Sequence, residues 1–339
     1  MEKKEEILYI IKRQPMISQD ELAARVGLSR SAAAGYISRL MKEGAVLGKA
    51  YVFPPEKQIL CIGGANIDRK LHVQALRWRD SNPASSTQSI GGTALNAAYV
   101  LYRRERTVSL VTMTGEDAAG RQLMEQIPFD TSYSLKTDTA PTGTYTAVFQ
   151  EGEMEAAFAD MAVYDQLLPE KLSRHQPSIK GASALLMDSN LPQETIRWLL
   201  SQAADSQMTV LVPVSAAKME RIPLELHGLN LIILNEKEAE VWMEQHHCST
   251  LSDTIRASGA AAVMKTKGSR GAELFTAEGH VYEQPAVPVE TADVTGAGDT
   301  SAAVMTEALL DGRTWQEAMK EAAEASAAVV SGQWDVYSD

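Results

Sequence analysis

Two rhythms of apolar residues divide the chain. Up to residue 53 they recur at the three- and four-residue spacing of helices; beyond residue 57 they come in blocks of four or five, separated by helical stretches. The spacing predicts a first helix over about 3–13, with Ile7, Leu8, Ile10 and Ile11 on its apolar side and Pro15 past its end. Ser18 and Glu21 have the S-x-x-E spacing of a capping box before a short second helix carrying Leu22, Ala23 and Val26. Gly27 supplies a turn, and Ser29 is placed to cap a third helix that runs to about Glu43, with Ile37 and Leu40 inward. Residues 44–48 and 49–53 read as two short strands, and Pro54-Pro55-Glu56-Lys57 as a stiff, short linker.

Past the linker, strands are predicted at 59–63, 108–113, 184–187, 210–214, 231–234 and 262–265, with helices at 96–103, 120–126, 193–204 and 236–245. Such alternation builds a largely parallel sheet covered on both faces. Residues 71–89 and 142–158 break the rhythm as strand-turn-strand pieces with polar alternation, suited to a small sheet standing off the main layer. A chain of 339 residues fits two or three domains, and the change of rhythm divides it into units of 1–55 and 56–339.

Apolar residues at 45% and charged residues at 22% exclude wholesale disorder and a coiled-coil rod. No apolar run approaches the roughly 18 residues of a membrane helix, and the acid-bearing start MEKKEEILYI is no signal peptide. A cytoplasmic protein is expected, with Cys61 and Cys248 as reduced thiols. The net charge of −12 is unevenly spread: residues 1–55 hold nine Lys/Arg against six Asp/Glu, so +3 precedes −15. Only the short basic unit can draw nucleic acid by long-range attraction.

The order of that unit, a capped helix, a glycine turn, a third helix and a wing, resembles a winged helix-turn-helix DNA-binding domain over its whole length. In that arrangement the third helix enters the major groove. It offers Arg30, Ser31, Tyr36, Ser38 and Arg39, with Lys49 on the wing, while Ala32-Ala33-Ala34 can read no more than a thymine methyl. A helical appendage that mediates assembly is the alternative.

The sharpest motif is Asp293-Val-Thr-Gly-Ala-Gly-Asp299-Thr-Ser at the head of an alanine-rich helix. Glycines at a helix N-terminus let backbone N–H groups approach a phosphate, and the helix dipole favours the anion. A carboxylate there would repel phosphate, so Asp299 needs a purpose: taking the proton of a hydroxyl that attacks the phosphoryl group. Three further motifs stand at Gly63-Gly-Ala-Asn66-Ile-Asp68, Ser89-Ile-Gly-Gly92-Thr-Ala-Leu-Asn96 and Asn235-Glu-Lys-Glu238. Asn235 and Glu238 also fit a plain helix cap, and Asp68 a plain turn.

Together and in this order, the four motifs resemble the ribokinase-like sugar and nucleoside kinases, the phosphofructokinase B family, over about residues 57–335. The resemblance implies an α/β fold, an αβα sandwich with a small β lid at about 69–90 and 142–158, and an ATP-dependent kinase. It implies Asp299 as catalytic base and the N–H groups of Gly296, Ala297 and Gly298 as anion hole. Asp68, Asn66 and Asn96 would hold substrate hydroxyls, with Gly92 giving close backbone approach and a hinge. Asn235 and Glu238 would organise Mg²⁺ and its waters, and Thr266 and Gly268 would line the nucleotide site. Asp293 and Thr295 match positions that hold a monovalent cation such as K⁺ in several members. The chain ends at Asp339 soon after its last helix, so a short C-terminal edge of the nucleotide site is expected.

Ribokinase proper has Lys after the paired glycines, where this chain has Thr93. Ser81-Asn82-Pro83, Thr144-Tyr145 and Pro213-Val-Ser-Ala-Ala-Lys218 resemble pseudouridine kinases, which adds Asn82 as a substrate contact and the nucleoside 5′-hydroxyl as acceptor. Two departures are Leu95, where that branch commonly has Arg, and Val212, where it has Asp. Beside this reading stand a ribose or other sugar kinase, and a transcription regulator whose kinase-like unit only senses its ligand. A homodimer through the lid, reading a palindromic operator near its own operon, would serve both halves of the chain.

Overall fold

The computed structural model describes residues 2–48, 53, 55–290, 295–334 and 337. The N-terminal unit is three helices, α1 (Lys3–Arg13), α2 (Gln19–Val26) and α3 (Arg30–Lys42), closed on Ile7, Ile11, Leu22, Val26, Ile37 and Leu40. Ser18 Oγ accepts from the Glu21 N–H at 3.2 Å, but the Glu21 carboxylate turns to Arg25, so the expected capping box is only half formed. The reciprocal box forms instead at Glu2 and Glu5. Gly27 closes α2 at φ 65°. Gly44, at φ 77°, has no room for a side chain: a Cβ there would stand 2.4 Å from the Gly181 amide nitrogen. Of the expected wing, residues 49–52, Lys49 among them, lie outside the described residues.

Beyond the linker the chain runs β1 (Ile59–Ile62), β2 (Asn66–Val73), β3 (Ala84–Gly91), α4 (Thr93–Arg103), β4 (Val108–Val111), β5 (Met113–Gly115), α5 (Ala118–Glu125), β6 (Leu135–Thr137), β7 (Thr144–Gln150) and β8 (Glu153–Asp160). Short helices α6 (Pro169–Leu172) and α7 (Gln176–Gly181) lead to β9 (Ala184–Asp188), α8 (Gln193–Gln202) and β10 (Met208–Val212). Then come β11 (Leu231–Asn235), α9 (Glu236–Gln245), α10 (Leu251–Ser258), β12 (Ala262–Thr266), β13 (Ala272–Thr276), β14 (Val281–Gln284), α11 (Ala297–Leu310) and α12 (Trp315–Val330).

Eight strands form the main sheet in the order β14-β13-β12-β11-β10-β9-β1-β4. It is parallel from β12 to β4, with an antiparallel β13–β14 edge that the sequence reading did not separate. Alternate residues of its strands enter two cores. Ile59, Cys61 and Leu186 join Leu95, Val304 and Met319 on one face; Leu60, Ile62 and Leu185 join Leu199, Trp242 and Ile255 on the other. Both faces are therefore apolar, as a helix-covered parallel sheet requires.

The lid is a four-stranded sheet, β3-β2-β7-β8. Its first strand begins at Asn66 instead of residue 69, because Asn66 pairs with Gly91 and the ladder runs down to the glycines. The strand expected at 108–113 breaks at Thr112, whose hydroxyl donates to the Gly63 carbonyl at 2.7 Å, and β5 leaves to pair with β6.

The fully buried Tyr164 pins the loop between β1 and the lid: its hydroxyl accepts from the Ala65 N–H at 2.9 Å and donates to the Ala65 carbonyl at 2.5 Å. Tyr164→Phe leaves both backbone groups unpaired and is expected to cost about 1–3 kcal/mol. Urea unfolding checks this as a lower midpoint at unchanged slope.

Candidate active site

The carboxyl ends of the parallel strands lie along one edge of the main sheet, where ligands bind in open α/β folds. Ile62 is level with Met187, Val212 with Asp188, and Asn235 with Thr266. Glycines bring the backbone together there. A Cβ at Gly92 (φ 112°) would lie 2.5 Å from the Gly64 carbonyl oxygen, and one at Gly91 would lie 2.3 Å from Asp68 Oδ2.

Asp188, fully buried, organises this edge. Its Oδ2 accepts from the N–H groups of Gly64 at 2.8 Å and Ala94 at 3.1 Å, and its Oδ1 from Asn190 at 2.8 Å. Burial pushes its carboxyl up, against the backbone donors and the nearby Lys218 ammonium. Lys218, whose own affinity for its proton is lowered by burial, donates to Asn190 Oδ1. Asp188 was not singled out from the sequence, although a lone acid closing the all-apolar β9 was a usable signal.

Asp299 stands in the first turn of α11, behind Gly296 in a left-handed cap at φ 79°. The N–H groups of that first turn have no acceptor within the helix, and a Cβ at Gly296 or Gly298 would meet nothing within 4 Å. Ala297 starts the helix between them. Asn96, half-buried on α4, donates from Nδ2 to Asp299 Oδ2 at 2.7 Å. Burial pushes Asp299 up to about 6, opposed by Asn96 and Thr93, while the Asp188 charge adds to the rise. Asp68, on the lid strand, accepts from Asn66 Nδ2 at 2.6 Å, and burial takes it up to about 6 as well. Each of these two carboxyls lies close to the paired glycines' neighbourhood, Asp68 beside Gly91 and Asp299 through Asn96.

Asn235 and Glu238 form a reciprocal capping box on α9, with both bonds at 2.9 Å, and burial raises the Glu238 carboxyl. Oε2 accepts the Asn235 N–H in that box. Among the described residues no three His, Cys, Asp or Glu side chains converge on a common point. The Thr266 hydroxyl donates to the Leu234 carbonyl at 3.3 Å, and Gly268 (φ 56°) faces open space. Thr295 precedes the α11 cap, and Asp293 lies outside the described residues.

Asn82 is not brought to this group. At the far end of the β2–β3 hairpin it accepts from the Arg77 N–H at 2.7 Å and donates to the carbonyls of Arg77 and Asp80, holding its own loop. On α3, Arg30, Ser31, Ser38 and Arg39 are exposed and Tyr36 is half-buried, with Arg30 and Arg39 on opposite sides of the helix. The Arg39 guanidinium lies over the Tyr36 ring, 4.7 Å from its centroid, and Arg30 sits 3.5 Å from Asp20.

Residues 56–334 match the model of the pfkB family carbohydrate kinases, and residues 2–46 that of winged helix-turn-helix DNA-binding domains. The chain belongs to the pfkB carbohydrate kinase family. It is a sugar or nucleoside kinase with a ribokinase-like α/β fold behind a winged helix-turn-helix. An uncharacterized sugar kinase of Escherichia coli K12 is 25% identical over 336 residues, 96% of this chain and 92% of that protein. The pseudouridine kinase of the same organism is 26% identical over 286 residues, 81% of this chain and 91% of that protein. The structure of Arabidopsis thaliana ribokinase complexed with ribose and ATP superposes with a TM-score of 0.69 at 20% identity, over 84% of this chain and 94% of that one, a likeness of fold.

Burial raises both carboxyls to about 6, and the roles expected of them, proton acceptor and hydroxyl acceptor, both need the ionised form. Protonation below that pH removes a proton acceptor and a hydroxyl acceptor together, so kcat/KM is expected to fall on the acid side with a log slope between about 1 and 2. A pH–rate profile with saturating ATP checks this; a flat profile down to pH 5 contradicts it.

Proposed function

We propose that the chain transfers the γ-phosphoryl group of ATP to the 5′-hydroxyl of a nucleoside, pseudouridine first, and that its N-terminal unit binds operator DNA. The observation that carries the kinase chemistry is Asp299, a carboxylate raised to about 6 at the head of α11 and hydrogen-bonded by Asn96. In this reading Asp299 takes the hydroxyl proton as the oxygen attacks, and the N–H groups of Gly296, Ala297 and Gly298 receive the charge gathering on the phosphoryl oxygens. Asp68, Asn66 and Asn96 hold the sugar hydroxyls, and Thr266 and Gly268 border the nucleotide. Support for pseudouridine comes from the likeness to the Escherichia coli pseudouridine kinase, and for ATP from the ribokinase solved with ribose and ATP.

Mg²⁺, when bound, neutralises charge on the phosphates. Glu238, a single carboxylate at the head of α9, suits an ion that keeps most of its waters. Asp293 and Thr295 are the proposed K⁺ position. The working unit is proposed to be a cytoplasmic homodimer joined through the lid, whose outer strand exposes Met154 and Phe158. In domain terms, residues 1–55 would bind DNA and residues 56–339 would carry the kinase.

ATP consumption across pseudouridine, uridine, ribose and other pentoses tests the substrate. Preference for pseudouridine is expected; preference for ribose assigns the sugar reading, and no turnover on any acceptor assigns a sensor. Asp299→Asn is expected to lower turnover by about 10²–10⁴-fold with ATP binding retained, and near-normal turnover removes Asp299 from the base role.

With +3 on the first 55 residues and Arg30 beside Asp20, a single copy has few charges for phosphates. Arg39→Ala is expected to weaken binding to an operator fragment by about tenfold, the order of one lost charged contact, with kinase turnover unchanged. Fluorescence anisotropy at two salt concentrations reads this. Equal binding by both forms leaves the unit as an assembly appendage.

A further inference from the structure

Past α12, two described residues, Trp334 and Tyr337, pack back onto the kinase unit. The Trp334 N–H donates to the Ala328 carbonyl at 3.1 Å, and Tyr337 lies against α4. Its ring meets that of Tyr99 edge-on, with centroids 4.5 Å apart and planes at 61°, and its hydroxyl donates to Asn96 Oδ1. Tyr99 is a firm backing. Its hydroxyl donates to the Gln126 carbonyl at 2.7 Å, and its ring packs on Phe129 at 5.1 Å.

The Asn96 carboxamide therefore stands between a donor and an acceptor. Its Oδ1 accepts the hydrogen bond of the Tyr337 hydroxyl while its Nδ2 donates to Asp299 Oδ2 at 2.7 Å. A carboxamide is nearly symmetric in shape and opposite in chemistry at its two ends. Turned over, it would set an oxygen against the Asp299 carboxylate and an N–H₂ group against the phenol. We propose that Tyr337 is a positioning residue for phosphoryl transfer, holding the Asn96 carboxamide in the orientation that donates to Asp299.

The inference rests on the reading of Asp299 as the base. Phenol, amide and carboxylate form one chain of hydrogen bonds, and each donor in such a chain strengthens the next. Among the described residues, the groups acting on Asp299 are Asn96 and the Thr93 hydroxyl from α4, which favour its ionised form, and Asp188 from β9, which opposes it. Tyr337 acts on this balance through Asn96.

Tyr337→Phe keeps the ring on Tyr99 and removes the hydroxyl alone. With ATP and the best acceptor of the panel above, kcat is expected to fall about 3–10-fold at neutral pH. The acid limb of the pH profile should move up by about half a unit to one unit, with KM for ATP unchanged. The aspartate carboxyl resonances of the free, ¹³C-labelled protein should report the same rise without any acceptor. In an Asn96→Ala background, Tyr337→Phe should add nothing. Three results overturn the proposal: an unmoved acid limb with unchanged turnover, an equal loss in the Asn96→Ala background, or faster turnover, which would make the segment an obstruction. If Asp299→Asn is nearly inactive and Tyr337→Phe is silent, only this inference fails; if Asp299→Asn is active, the underlying reading fails first.

Discussion

One buried carboxylate sets the geometry on which the rest of the site depends. Asp188 closes the central strand β9 and accepts N–H groups from Gly64, Ala94 and Asn190, three points on different parts of the chain. Taking a carboxylate out of water is costly unless several donors meet it. The fold meets that cost with backbone N–H groups, which cannot rearrange as side chains can. The loop after β1, the start of α4 and the turn after β9 are thereby held at fixed separations. Asn96, one turn into α4, inherits that placement, and so does its bond to Asp299.

Such a hub also explains the paired glycines. A Cβ at Gly63 would fall 2.3 Å from the Asp188 carboxyl carbon, and one at Gly64 would fall 2.3 Å from Asn190 Nδ2. The backbone has to come this close for its N–H groups to reach the carboxylate. The Gly63-Gly64 pair is thus dictated by packing around Asp188 before any ligand enters the account.

What could be read from the sequence was what short stretches of chain decide. The helices α1 and α9 fall at their expected limits because caps and apolar spacing act over a few residues. The glycine-bordered head of α11 was legible for the same reason. Asp188 and Tyr164 were not, since their partners lie 124 and 99 residues away; the lone acid at the end of β9 marks Asp188 as unusual but does not say what it meets. The lid boundary moved because strand pairing, fixed by Asn66 opposite Gly91, overrode the polar alternation that began later. Asn82 stood out by its neighbours in sequence, whereas its three bonds to nearby backbone, which hold its own loop, could be seen only in the structure.

The lid strand β2 leaves the glycine-rich edge at Asn66, and Asp68 follows two residues later. At about 3.3 Å per residue, Asp68 sits roughly 7 Å from that anchor, while Val73 at the strand's end lies roughly 23 Å away. Any swing of the lid about its base is therefore a lever with a short inner arm. A sweep of about 10 Å at the outer end of β2 becomes about 3 Å at the carboxylate, close to the span of a single hydrogen bond. Any such swing would reach the Asp68 carboxylate reduced to about a third of its outer amplitude.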